Sequence, residues 1–105
     1  MDKVHFAIEA LLSGPDGWRP VVREMVARWP DAPAGELVFA LVSAASEIEA
    51  MFAAGSPSRE ASDHAWRLAA LVGVDLYAME AVGLARGRAG DLAAYWRIDP
   101  YFRDL

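Results

Sequence analysis

The stretch "DHAWRLAALVG", residues 63–73, sets a histidine three positions ahead of an arginine and in front of a run of small and apolar residues. On a helix that spacing puts His64 and Arg67 one turn apart on adjoining faces. An imidazole so placed can accept a phosphoryl group, and a guanidinium fork one turn away can hold the charge that group brings. The plainer alternative is an ordinary helix residue: His64 partly exposed near the start of its helix, paired with Glu60 four residues earlier. The plainer alternative is the one adopted.

The same residues resemble the active-site helix of histidine phosphotransfer domains, which are helical bundles of about this size. That resemblance implies His64 as phosphoacceptor and Arg67 as the group holding the phosphoryl oxygens. It covers about ten residues and departs from the family at Leu68, where a glycine usually leaves space for the response regulator. The family also places a second long helix after the histidine helix, whereas only the residues beyond Arg86 remain here. Phosphotransfer through His64 is therefore the alternative function, not the leading one.

Metal chemistry has less support. His5 with Glu9, and Glu60 with His64, are i, i+4 pairs that could each offer two ligands, but zinc sites usually draw three or four from protein. The Glu-x-x-His pattern of di-iron bundles does not occur, and there is no cysteine. No metal and no cofactor are expected. Asp75, flanked by "LVGV" and "LYAM", is the polar residue most apt to be buried, where a carboxylate must find donors or take a proton. It reads as a structural hydrogen-bonding group satisfied by Ser43, Ser46, Tyr77 or a tail arginine. A further alternative gives it a small apolar ligand held between the third and fourth helices. Without a phosphate-binding glycine loop or a recognisable nucleophile–base pair, the chain is not expected to be an enzyme.

The last residues, "LAAYWRIDPYFRDL", concentrate Tyr95, Trp96, Tyr101 and Phe102 with Arg97 and Arg103. These are the residue types that dominate interface hot spots, because they bury large areas and keep a polar tip. The segment either folds back to close its own bundle or docks on another chain, such as the acidic middle of a second copy. The docking version predicts that Trp96→Ala with Phe102→Ala weakens association and leaves the helices folded.

Positioning these groups falls to a chain of 105 residues, 55% hydrophobic and 24% charged, which is one domain and too apolar for disorder. Apolar residues recur at spacings of three and four with no sustained alternation, so the fold is expected to be all-α. A first helix is capped by Asp2 and stopped by "SGP" at 13–15; a second runs from about Gly17 to Trp29 with Pro20 in its first turn. "WPDAP" breaks the chain, Asp31 caps a third helix, and "SPSRE" restarts it with Ser56 as cap and Pro57 as first helical residue. The third and fourth helices, about 33–54 and 57–86, form a central antiparallel hairpin on which the first two pack. Gly73 and Gly83 lie within the fourth and should allow close backbone approach or a bend. After "GRAG" at 87–90, Asp91 caps a short helix, and Asp99 with Pro100 starts a last turn. The expectation is a compact bundle of four to five helices, with a short aromatic C-terminal helix or turn.

The net charge of −5 is unevenly spread: residues 31–85 hold eight acids against two bases, and residues 86–105 hold four bases against three acids. Nucleic-acid binding requires clustered cations, so it is not expected. Glu47, Glu49, Asp75 and Glu80 interrupt the long apolar segments, which argues against a membrane span. The absence of cysteine and of a signal-like start suits the cytoplasm, and nine arginines to one lysine suit a GC-rich bacterial genome. The functional expectation is a small regulatory, adaptor or assembly factor that acts by protein–protein interaction as a homodimer.

Overall fold

A computed structural model describes residues 2–105. Among these residues the chain is all-α, with six α-helices: α1 (Lys3–Leu11), α2 (Val21–Arg28), α3 (Gly35–Met51), α4 (Glu60–Ala81), α5 (Asp91–Tyr95) and α6 (Tyr101–Asp104). α3 and α4 form the central hairpin. Their seam is built from Ala44, Ala45 and Ile48 on one side and Ala65, Leu68, Ala69 and Val72 on the other, all buried. Small side chains at these positions let the two axes lie close together.

The hairpin loop is tied by Arg59, whose guanidinium donates to the Phe52 carbonyl at 2.9 Å and pairs with Glu49 at 3.4 Å. That carbonyl is among those left open at a helix C-terminus, so the contact acts as a cap. α4 is entered through a 3-10 turn at Pro57–Arg59, with Ser56 at its cap position but its hydroxyl unpartnered.

α4 ends at Ala81, earlier than the periodicity predicts. Gly83 adopts φ +77°, the Leu84 N–H bonds the Met79 carbonyl at 2.9 Å, and the Gly83 N–H bonds the Glu80 carbonyl at 3.1 Å. This is the paired hydrogen-bond pattern of a glycine C-cap. Gly83 therefore terminates the helix instead of sitting inside it. Gly73 does lie inside α4, but it faces open space with no atom near its missing Cβ, so it serves no close approach within the chain.

α2 begins at Val21, four residues later than expected, because residues 14–20 close three-residue turns instead. Gly17 bonds back to Gly14, Arg19 to Asp16 and Val21 to Trp18. A Cβ at Gly17 would overlap the Ala10 carbonyl oxygen, so only glycine lets this turn press against the end of α1. α1 is capped by Asp2, whose carboxylate accepts from the His5 N–H at 2.8 Å. It packs chiefly on α3, while α2 rests on α1 and on the C-terminal α6.

Two local caps differ from expectation. Asp31 pairs with Arg88 instead of capping α3, which opens at Ala34. Asp91 is itself the first residue of α5, and its carboxylate accepts from the Arg88 N–H at 3.1 Å. Residues 87–90 run antiparallel to 30–34, with the Ala89 N–H on the Ala32 carbonyl and the Gly90 N–H on the Pro30 carbonyl, both at 2.8 Å. That strap brings α5 and the tail back onto the bundle.

Candidate functional site

The aromatic tail folds back. Phe102 is 1% exposed, and Trp96 and Tyr95 are buried with it in the chain's own core. Arg23 of α2 holds the end in place: its Nη1 donates to the carbonyls of Phe102, Arg103 and Leu105 at 3.2 to 3.4 Å. Of the expected anchor, Tyr95, Trp96 and Phe102 therefore pack inside the chain's own core. Tyr101, Arg97 and Arg103 stay exposed, with Tyr101 edge-on to Phe102 and Arg103 paired to Asp104 at 3.0 Å.

His64 does not pair with Glu60. Its ring stacks flat on Trp18, with centroids 4.7 Å apart and planes 5° from parallel, and Arg19 lies over the same indole. The two rings line a cleft of about 280 Å³ together with Leu12, Pro15 and Pro57. Arg67, one turn further along α4, is exposed. His5 does pair with Glu9, at 3.0 Å on the surface. Among the described residues no three His, Asp or Glu side chains converge as metal ligands.

Asp75 is buried, and its neighbours are not the ones anticipated. It faces the tail, where burial first and the Asp99 carboxylate second push its pKa from the ordinary 3.8 up to about 6. The Trp96 indole N–H opposes that rise, yet it makes no hydrogen bond of ordinary geometry and is left buried without a partner. Burial, Asp75 and Asp99 in turn raise the Tyr95 phenol. Asp75 and the aromatic tail, singled out separately in the sequence, are thus one cluster. None of the clefts described here is lined by Asp75.

Beyond Ile98 and Tyr101 of the tail, exposed large apolar side chains also stand on the outer side of the hairpin. Trp66 is 41% exposed, Val74 61%, Tyr77 74% and, on α3, Phe39 67%. Trp66, Ala70, Gly73, Val74, Tyr77 and Ala81 follow one another at helical spacing, all exposed and none charged. Val42 and Ser46 continue this face on α3, and the Trp66 indole N–H donates to Glu49, tying the two helices along it. On the other side of Phe39 a groove of about 810 Å³ separates α1 from α3, floored by Val4, Ile8 and Ala40 and rimmed by Lys3, Glu36 and Glu47. The sequence reading passed over the outer stripe because α4 is apolar on most sides, and composition does not say which side its neighbours cover.

Fold and surface together define a small all-α bundle carrying an exposed apolar stripe on a helical hairpin. No helix among the described residues is long and apolar enough to cross a membrane. Compared with family models, curated proteins and solved structures, the chain matches none.

Proposed function

We propose that this chain acts by binding protein, as a small regulatory, adaptor or assembly factor that self-associates to a homodimer in a bacterial cytoplasm. The observation that carries the reading is the apolar stripe on the outer side of α4, where Trp66, Val74 and Tyr77 stand exposed, with Phe39 exposed on α3 beside it in the hairpin. Large side chains at these exposures cost solvation free energy in a lone copy, and covering them recovers it at about 25 cal/mol per Å². Aromatic side chains among small ones are also what protein interfaces favour at their centres. The lack of cysteine suits a reducing compartment.

The test is absolute molar mass by light scattering behind size exclusion, over a wide concentration range. The wild type should move from 11.4 kDa toward twice that mass as concentration rises. Trp66→Ala with Tyr77→Ala should stay monomeric with unchanged helical circular dichroism. A wild type that remains monomeric throughout overturns self-association.

A further inference from the structure

The exposed stripe of α4 has an internal symmetry. From Trp66 through Ala70, Gly73, Val74, Tyr77 and Ala81 the steps are four, three, one, three and four residues, so the pattern reads the same from either end about a centre between Gly73 and Val74. A surface that docks on its own copy across a two-fold axis must be self-complementary. Folding the stripe onto itself about that centre sets Trp66 level with Ala81, Tyr77 with Ala70 and Val74 with Gly73. Each large side chain meets a small one, which lets the helices approach without large residues colliding.

From this we infer that the partner of the hairpin face is a second copy of the chain, docked with α4 antiparallel to α4 about the Gly73–Val74 midpoint. The inference rests on the self-association proposed above and specifies its geometry. Charge agrees with the antiparallel sense. Arg67, which has no carboxylate partner among the described residues, comes level with Glu80 of the second copy, whereas a parallel pairing would set Arg67 level with Arg67 and Glu80 with Glu80. Glu80 already pairs with Arg86 at 3.1 Å within its own copy and has a second carboxylate oxygen to offer. Area agrees as well. Taking about 200 Å² for a fully exposed large side chain, the four exposed residues present roughly 500 Å² per copy. With the small residues between them, two copies reach the lower edge of the ~1,200–2,000 Å² of a stable interface.

Because the chain has no native cysteine, single cysteines report the geometry without background. Under mild oxidation a mixture of Ala70→Cys and Tyr77→Cys chains should give the mixed covalent dimer, while each alone should give little, since a disulfide needs Cα atoms within about 7 Å. In parallel, Glu80→Arg should weaken the dimer about fivefold, and adding Arg67→Glu to the same chain should restore it. Efficient self-linking of Tyr77→Cys would overturn the antiparallel docking, as would a full-strength dimer that neither cross-links at these positions nor responds to the charge reversals. Those results leave a dimer in place and reject only its geometry. A wild type that is monomeric at every concentration rejects the self-association itself.

Discussion

Asp75→Asn should make the protein more stable at neutral pH and leave it unchanged in acid. In the folded chain the Asp75 pKa stands at about 6 against an ordinary 3.8, because burial and the Asp99 carboxylate both disfavour its charge. A carboxylate whose folded-state pKa is raised holds its proton in the native state while the unfolded chain has already lost it. Its contribution is therefore favourable below pH 4 and is lost as pH rises toward 6. At 1.36 kcal/mol per pH unit the gap between these values amounts to about 3 kcal/mol, and partial hydration of the site brings the working figure to about 2 to 3 kcal/mol. Asparagine keeps the shape, removes the charge and leaves an oxygen toward the Trp96 indole. The assay is urea unfolding of both proteins at pH 4 and pH 7, at one fixed protein concentration so that association does not enter the comparison. The difference between variant and wild type should be near zero at pH 4 and about 2 to 3 kcal/mol at pH 7, equivalent to roughly 10 °C in Tm. Using the difference cancels any pH effect that the two proteins share. Equal stability of the two proteins at pH 7 would refute the picture of Asp75 as a buried, charge-strained group.

The remaining predictions concern the tail and the turns. Phe102→Ala removes a fully buried ring and should cost about 3 to 5 kcal/mol of unfolding free energy, with loss of tertiary signal; a cost under 1 kcal/mol would mean that the tail does not close the core. The expectation that Trp96→Ala with Phe102→Ala acts on association alone is accordingly replaced by one of lost stability. Gly17→Ala forces a methyl toward the Ala10 carbonyl and should cost about 1 to 3 kcal/mol in denaturant unfolding, and wild-type stability there would show that the turn yields freely. Gly83→Ala must adopt a left-handed backbone and should cost about 1 to 2 kcal/mol, measured the same way, with no effect expected only if α4 ends differently.

Local chemistry made much of the fold legible before any coordinates. The three- and four-residue apolar rhythm, the Asp2 cap, the "WPDAP" break and the Ser56–Pro57 restart are short-range signals, and the hairpin follows from two long helices joined by a short loop. Gly83 was ambiguous for a physical reason: a glycine in an apolar run can be a tolerated interior residue or a C-cap, and the difference lies in the sign of φ. The late start of α2 depends on a backbone contact between Gly17 and Ala10, which spacing alone does not express.

What the sequence by itself determined is the helical class, the order of the elements and the identity of the residues able to do chemistry, because these depend on periodicity, caps and side-chain type within a few positions. Which of those residues are free to act was decided by tertiary structure. Arg23 reaches the tail carbonyls about 80 positions away, Trp96 and Phe102 enter the core, His64 stacks on Trp18, and Asp75 meets Asp99. On an alanine-rich helix apolar around most of its circumference, only the packing of its neighbours selects the face left to solvent. Here that face runs from Trp66 to Ala81.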